Sequence, residues 1–397
     1  MAIRNWVTVA ALVLASAGTF AGEWEAAGFV GVDSRTFWED ESFSSQQDGL
    51  GSSIKLQAEY YWRSDDGRHR FSAVGFGRYD ELDDERSHGD LREAYWGYDG
   101  DGWDVTMGVR KVFWGVTESF HLVDIINQTD LVEDIDQEDK LGQPMVNFNL
   151  QRDYGRFEFY LMPRFRERTF PGVEGRLRTP LVVDTDNAVY ESSDGDRHTD
   201  FALRWSHYFG DVDIGAYVFD GTSREPEFLL AEEGDRLLPV YEQITQVGMD
   251  AQLTRDAWLW KFEGIRRETR EETFNAAVAG LEYTFYGVDG RAADIGVLFE
   301  YLYDGRNELS PPTPFDDDIF VGARLALNDS SDTSVLVGAV VDTETHETFL
   351  NFEAERRFGD SVTVDLRLRA FGNVDPGERL SAFEQDDYLQ LSVSWYY

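Results

Sequence analysis

The strongest fold signal in this sequence lies in Asp387-Tyr388-Leu389-Gln390-Leu391-Ser392-Val393-Ser394-Trp395-Tyr396-Tyr397. Successive side chains of a β-strand point to opposite faces, so an extended chain here separates two kinds of side chain. One face is apolar and the other polar: Leu389, Leu391, Val393, Trp395 and Tyr397 against Gln390, Ser392 and Ser394. This pattern fits a barrel wall with lipid outside and water inside. An amphipathic last strand of a soluble sheet would show the same alternation.

The amino-terminal residues have the layout of a secretory signal peptide. Arg4 supplies one positive charge, residues 6–17 are an uncharged apolar run, and small residues lead to a cleavage point at Ala21-Gly22. The run is too short for a transmembrane helix, and no later segment approaches the ~20 consecutive apolar residues that such a helix needs. We therefore expect residues 1–21 to be removed on export. Residues 22–397 then form one domain, which in a membrane would be a closed barrel.

Composition agrees with an exported β-protein. Aromatic residues make up 14% of the chain, as the aromatic girdles of a membrane barrel require. There is no cysteine, so the fold does not depend on disulfides. The net charge is -40, which argues against nucleic-acid partners. The acidity is compatible with cation binding and equally with a saline habitat.

Segments of alternating polarity bounded by turn residues predict about eighteen strands after the signal peptide. Most have the ~9–11 residues that a tilted strand needs to cross a bilayer. Weak boundaries of the first and twelfth strands leave sixteen as an alternative. The predicted strands are Glu25–Trp38, Ser53–Arg63, Arg68–Tyr79, Leu91–Tyr98, Trp103–Phe113, Met145–Asp153, Arg156–Arg166, Arg197–Phe209, Val212–Gly221, Tyr241–Thr254, Trp258–Thr269, Thr273–Tyr286, Ala292–Asp304, Ile319–Asn328, Ser334–Asp342, Thr348–Phe358, Val362–Gly372 and Tyr388–Tyr397.

The connections alternate in length along the chain. Those after even-numbered strands are tight and rich in Asp and Gly, such as Ser64-Asp65-Asp66-Gly67, and Gly supplies the positive φ that tight hairpins need. Those after odd-numbered strands are mostly long, with Arg270–Glu272 and Thr343–Glu347 as short exceptions. Outer-membrane barrels have short periplasmic turns and long extracellular loops. The alternation therefore predicts an even strand number, both termini in the periplasm and the outer membrane of a Gram-negative bacterium as location.

Charged residues fall on the polar faces of the predicted strands. An Arg or Lys facing lipid at mid-depth would cost about 2–4 kcal/mol, so we expect these side chains to line the barrel interior. An alternative is that they pair across strands and stiffen the wall. The basic residues predicted to line the pore are Arg110, Arg164, Arg166, Arg204, Lys261, Arg324, Arg367 and Arg369.

The long connection Trp114–Pro144 is both acidic and partly apolar. Its apolar pieces, such as His121-Leu122-Val123, do not suit a loop that lies wholly in water. We expect it to fold into the barrel and narrow it, so that its carboxylates face the basic wall and tune which ions pass. An external lid and a divalent-cation site are the alternatives. The candidate constriction residues are Glu118, Asp124, Asp130, Glu133, Asp134 and Asp136.

The same region resembles a family of proteobacterial, porin-like outer-membrane barrels of unknown function. The resemblance covers Leu91 to Leu150 and rests on Arg110-Lys111-Val112-Phe113-Trp114-Gly115 followed by Asp124-Ile125-Ile126-Asn127-Gln128-Thr129-Asp130. In the family an Arg-rich strand ends in Val-x-Trp-Gly and precedes an Asp-Val-Ile-Asn-Pro-x-Asp segment. Gln128 stands where the family has proline. The resemblance implies a pore-like fold and an outer-membrane address, but no substrate.

The residue pattern favours a channel over an enzyme. None of the six histidines sits in a serine-hydrolase motif, and the contact that His198 would make with Asp196 or Asp200 fits a solvated strand edge. We expect a porin-like channel for small hydrophilic or ionic solutes, without a cofactor. A non-conducting adhesion or structural barrel and a hydrolytic barrel are the alternatives. Expected partners are outer-membrane lipid, lipopolysaccharide and the barrel-assembly machinery, which would read Trp395 and Tyr397 as an aromatic terminal signal.

Overall fold

The computed structural model describes residues 22–47, 49–307, 310–377 and 379–397, so the predicted signal peptide lies outside the described residues. The strands are β1 Gly22–Phe37, β2 Leu50–Ser64, β3 His69–Asp80, β4 Gly89–Asp99, β5 Trp103–Arg110, β6 Gln143–Arg152, β7 Gly155–Met162, β8 Val182–Val183, β9 Val189–Tyr190, β10 Asp200–Phe209, β11 Val212–Thr222, β12 Glu227–Leu230, β13 Arg236–Tyr241, β14 Gln243–Arg255, β15 Trp258–Glu268, β16 Thr273–Phe285, β17 Asp294–Asp304, β18 Asp317–Ala326, β19 Ser334–Asp342, β20 Thr348–Phe358, β21 Val362–Gly372 and β22 Tyr388–Tyr396.

Eighteen of these strands form one closed antiparallel barrel, each pairing with its neighbour along the barrel. Strand β1 pairs with β2 on one side and with β22 on the other, which closes the wall. The predicted fold class and the strand number of eighteen are confirmed. The four short strands β8, β9, β12 and β13 form a separate small sheet.

The alternation in the last strand separates lipid from lumen as expected. Leu391 and Trp395 are 44% and 52% exposed on the outer surface, whereas Ser392 and Ser394 are each 3% exposed. In a barrel spanning a bilayer this outer exposure is contact with lipid, so the apolar face is the stable one to present. The same separation recurs around the wall, where the outward residues include Ile54, Val321 and Phe299.

The two ends of the barrel differ in the length of their connections. At one end, here called the short-turn end, hairpins close through residues with positive φ such as Gly210 (φ 63°) and Asp256 (φ 55°). At the other, the long-loop end, the loops carry the small sheet, in which β12 pairs antiparallel with β13. Single 3-10 turns occur at Thr185–Asn187, Gly195–Arg197, Val288–Gly290 and Ser381–Phe383. No helix of the described residues is long and apolar enough to span a membrane.

Several predicted strand ends are wrong, and one of them moves two candidate wall residues. The strand predicted to reach Arg166 ends at Met162, because Pro163 has no N–H to continue the ladder. Arg164 and Arg166 therefore lie in the following loop and not on the wall. The strand predicted to reach Phe113 ends at Arg110, and the one predicted from Arg197 begins at Asp200.

Candidate functional site

Residues 111–142 connect β5 to β6 and lie inside the barrel; we call this segment the inner loop. Its apolar residues pack on lumen-facing side chains of the wall. The Trp114 ring lies 5.6 Å from that of Tyr160 and 4.9 Å from that of Tyr217. Val123 and Ile126 are fully buried. Burial of these side chains explains why so acidic a segment leaves water.

A wall carboxylate, Glu263 on β15, binds the backbone of the inner loop. Its Oε1 accepts the N–H of Val116 at 2.7 Å and that of Thr117 at 3.0 Å. Its Oε2 accepts the N–H of Val123 at 3.2 Å. Glu263 is fully buried, so these bonds replace the water that the carboxylate loses.

A second wall carboxylate, Glu300 on β17, binds the backbone of the next two residues of the inner loop in the same way. Its two oxygens each accept an N–H at 2.8 Å, from Glu118 and Ser119. The Glu118 side chain in turn faces two basic wall residues, Arg324 at 2.6 Å and Lys261 at 3.4 Å. Predicted candidates Glu118, Lys261 and Arg324 therefore meet in one ion-pair cluster, with the loop backbone held beside it.

Basic wall residues hold the opposite side of the inner loop. Arg78 on β3 contacts Glu133 through two nitrogens, at 2.9 and 2.6 Å, and also reaches Asp33 at 2.5 Å. Arg92 on β4 contacts Asp130 at 2.7 Å. Asp130 is fully buried; burial opposes its ionisation, but His88 and Arg92 outweigh burial and lower its pKa to about 2. These arginines were absent from the sequence-based candidates.

Arg369 and Arg367 on β21 hold the next turn of the inner loop. Arg367 contacts Asp134 at 2.8 Å, and Arg369 contacts Asp134 at 3.2 Å and Asp136 at 2.9 Å. Both arginines hold the pKa of Asp134 well below its usual range despite burial. Burial and the charge of Asp134 raise the pKa of Asp136. The acidic loop and basic wall thus neutralise one another in contact instead of facing each other across open water.

Arg110 and Arg204 also face the interior. Arg110 contacts Thr106 at 3.3 Å and Asn147 at 3.2 Å. Arg204 contacts Asp250 at 2.7 Å and lies 5.0 Å from the centre of the Trp114 ring. Their role is to support the wall and the inner loop, since their hydrogen bonds end on neighbouring side chains.

Arg164 and Arg166 lie outside the wall strands, and each forms an ion pair there. Arg164 is exposed and pairs with Asp196 at 2.8 Å within the long loops. Arg166 contacts Asp90 at 2.7 Å and so ties the loop after β7 to the start of β4. Neither guanidinium extends the basic wall that the sequence predicted.

Asn127 organises the base of the inner loop, a role that sequence reasoning missed. Its Oδ1 accepts the N–H of Val112 at 2.8 Å, and its Nδ2 donates to the carbonyls of Arg110 at 2.9 Å and Leu141 at 2.8 Å. One side chain therefore joins the entry and exit of the loop. The sequence feature that could have indicated this role is the position of Asn127 within the Asp124–Asp130 motif. Asp124 accepts the N–H of Trp114 nearby, and burial raises its pKa.

Among the described residues, two groups of side chains have ligand atoms close enough to hold a cation, namely His88–Asp130–Glu133 and Asp316–Asp318–Asp342. The first already contacts Arg78 and Arg92, whose charges oppose a divalent cation. In the second, Asp316 pairs with Arg379. The predicted divalent-cation alternative stays a prediction.

A cavity of about 1380 Å³ lies between the inner loop and the wall strands β18 to β21. At the long-loop end it is bordered by residues 310–316 and by Arg379, Leu380 and Phe383. Toward the short-turn end it reaches Leu336, near the start of β19, and the register partner of Leu336, Glu353, in the middle of β20. The cavity is therefore elongated along one side of the barrel, and we call it the passage.

Known structures share the fold. Wzi of Escherichia coli, a carbohydrate-binding barrel involved in group 1 capsule assembly, is 11% identical, and the match covers 92% of this chain and 83% of that chain with a TM-score of 0.53. OmpT of Vibrio cholerae lacking loop L8 is 10% identical over 95% of this chain and 100% of that chain, with a TM-score of 0.47. A variant of the Rhodopseudomonas blastica porin is 11% identical over 94% and 100%, with a TM-score of 0.44.

No family model matches the sequence, and no curated protein matches it. At the identities above, the likeness to Wzi shows the fold of an outer-membrane barrel. The resemblance of Leu91–Leu150 to a family of unknown function agrees with that fold. Membership of the family stays a prediction.

Proposed function

We propose that the protein is a channel for solutes in the outer membrane of a Gram-negative bacterium, with both termini in the periplasm. The cavity beside the inner loop carries the proposal, because it runs from the long loops to Leu336 and Glu353 within the wall. The inner loop, held by Glu263, Glu300 and Arg369, narrows the lumen to this one side. Fixed hydrogen bonds of this kind suit a permanent constriction better than a hinged external lid.

Cysteine labelling in planar bilayers tests the passage, since the chain has no native cysteine. Leu336 lines the cavity, whereas the next residue, Val337, is 39% exposed on the outer face. We expect a bulky hydrophilic thiol reagent to reduce the conductance of a Leu336→Cys variant and to leave that of Val337→Cys unchanged. Absence of any conductance would favour a non-conducting structural barrel. Equal block of both variants would mean that the current does not run through the cavity that Leu336 lines.

Surface labelling tests the orientation. Gly234 at the long-loop end and Gly210 at the short-turn end both have positive φ and open space around them, so either accepts an inserted tag. On intact cells we expect an antibody to detect the tag at Gly234 and to miss the tag at Gly210. The reverse pattern would place the long loops in the periplasm.

The His198–Asp200 contact is assigned a structural role. His198 Nδ1 lies 3.0 Å from Asp200 Oδ1, and the other oxygen of Asp200 pairs with Arg224 at 2.7 Å. Arg224 also donates to the carbonyl of Ile126 at 3.0 Å. This network fastens the inner loop to β10, which accounts for the histidine without hydrolytic chemistry.

A further inference from the structure

The passage is lined by phenylalanine to a degree that a water-filled pore does not require. Eight phenylalanines border it, among them Phe120 and Phe315, whose rings are 5.8 Å apart. Phe371 lies 5.4 Å from Phe349 and 5.6 Å from Phe383. Interiors of diffusion porins are polar, because hydrated solutes lose water beside an apolar wall. An apolar wall instead stabilises a solute that has an apolar surface of its own.

Two arginines that border the cavity, Arg168 and Arg178, form no ion pair among the described residues. Arg178 donates instead to the carbonyls of Thr179 and Pro180 and to Ser45. Arg168 borders the cavity, and its Nε lies 3.4 Å from Gln128 Oε1. Its two terminal nitrogens make no hydrogen bond or ion pair within the part of the chain that the structure describes. Burial lowers the pKa of Arg168. Glu225 opposes this shift, but it already pairs with Arg267 and Arg306, whose charges act in the same direction as burial. An anion bound beside Arg168 would offset the free-energy cost of burying its positive charge.

The carboxylates that border the passage are mostly neutralised already. Glu118 pairs with Arg324, Asp136 with Arg369, and Asp316 with Arg379. Glu227 has no ion pair among the described residues, and burial raises its pKa. Arg168 is therefore a cation without an ion pair at a cavity where Glu118, Asp136 and Asp316 are already paired.

We infer that the passage admits amphipathic organic anions, with an apolar, ring-bearing body against the phenylalanines and one carboxylate or similar group at Arg168. This inference rests on the proposed channel function and narrows its solute class. It departs from the sequence-based expectation of small hydrophilic solutes, while keeping the solute ionic. Rings favour offset or edge-on contact with the Phe side chains, and the guanidinium can bind a carboxylate through two nitrogens.

Three probes of related structure separate the two features. 3-Phenylpropionate has both the ring and the charge, 3-phenylpropanol has the ring alone, and propionate has the charge alone. Each is added to the purified barrel in a planar bilayer in KCl, and interruption of the current is measured against concentration. We expect 3-phenylpropionate to block at a concentration about tenfold lower than either relative, as for one charge-assisted contact or one buried ring.

Two variants and one control test the residues. Arg168→Gln should raise the blocking concentration of 3-phenylpropionate about tenfold and leave that of 3-phenylpropanol unchanged. Phe349→Ala should weaken block by both ring-bearing probes and leave propionate unchanged. Arg152→Gln is the control, because Arg152 is exposed at the short-turn end, donates to the carbonyls of Gly102 and Gln151 and does not border the cavity. Heat-modifiable migration on gels verifies that each variant is a folded barrel.

The outcomes separate this inference from the channel proposal. No KCl current through the unmodified protein would overturn the channel function. A KCl current with equal block by all three probes would overturn the solute class and leave the channel standing. Equal block by 3-phenylpropionate and 3-phenylpropanol, or an Arg168→Gln variant identical to the control, would overturn the inferred role of the arginine.

Discussion

Glu263 and Thr117, 146 residues apart in the chain, make two hydrogen bonds inside the barrel: Glu263 Oε1 accepts both the backbone N–H of Thr117, at 3.0 Å, and its hydroxyl, at 2.7 Å. The same oxygen also accepts the N–H of Val116. A buried carboxylate that receives several N–H groups resembles an anion site formed by protein backbone. The wall thereby fixes the position of the inner loop, and through it the width of the passage.

Replacing Glu263 with Gln should loosen the inner loop without opening the barrel. The amide keeps one acceptor oxygen but turns an NH₂ group toward the N–H of Val123, which loses its partner at Oε2. We expect a local loss of about 1–3 kcal/mol, seen as faster amide exchange over residues 116–123. Glu355→Gln is the control, because Glu355 is an exposed wall residue near the short-turn end. Unchanged exchange in Glu263→Gln would contradict the anchoring role.

His121 should make the inner loop sensitive to alkaline pH. Burial alone would lower its pKa, but Glu138 at 3.0 Å and Glu263 at 3.7 Å outweigh burial and raise it to about 10, from 6.5. The stabilisation by protonated His121 is therefore complete below pH 6.5 and is lost as the pH rises through about 10. We expect conductance noise to increase between pH 9 and about 11, the window around this pKa.

A His121→Gln variant provides the comparison for that experiment. Glutamine retains a hydrogen-bond donor but does not titrate, so the step in conductance noise near pH 10 should disappear. A step of the same size in the variant would assign the pH dependence to other groups.

Removing the Asp134 charge should destabilise the loop more than it changes ion selectivity. Asp134→Asn leaves Arg367 and Arg369 close together with one carboxylate fewer between them. Breaking a buried ion pair on one side costs about 3–5 kcal/mol, so heat-modifiable migration should be lost at a lower temperature. Asp139→Asn is the matched control, because no ion pair of Asp139 occurs within the described chain. Equal thermal stability of both variants would show that the pairs contribute little.

Tyr397 should matter for assembly more than for the stability of the finished barrel. Its side chain is 56% exposed, and its backbone N–H bonds Gly28 O at 3.1 Å, which alanine can also do. We expect Tyr397→Ala to lower the amount of barrel in the outer membrane and to change its melting temperature little. Tyr154→Ala is the control, since Tyr154 is 64% exposed in a hairpin at the same end. Equal yields of the two variants would argue against a terminal assembly signal.

The strand pattern was predictable because barrel strands encode their faces locally. Every second residue from Leu389 to Tyr397 faces outward as the sequence implied, and short Asp-Gly turns mark one end. The prediction lost accuracy at strand ends such as Met162. There the ladder stops for reasons that depend on the neighbouring strand and on proline.

The contents of the lumen were harder to predict, although the sequence indicated which side chains face it. Phe371 shares its face of β21 with Arg367 and Arg369, so the same alternation that assigned the arginines to the lumen also assigned an aromatic ring there. Alternation gives the face of a residue and does not give what lies opposite it. The apolar passage and the salt bridges to the inner loop therefore stayed hidden.

The sequence by itself determined a closed antiparallel barrel of sixteen or eighteen strands, the faces of its strands and the alternation of short and long connections. These properties follow from local periodicity and turn chemistry, which act over a few residues. Only the tertiary structure decided that Glu263 binds the loop backbone, that Arg78 meets Glu133, and that phenylalanines border the passage. Such contacts join residues far apart in the chain, so their energies depend on closure of the barrel and on how the inner loop fills it.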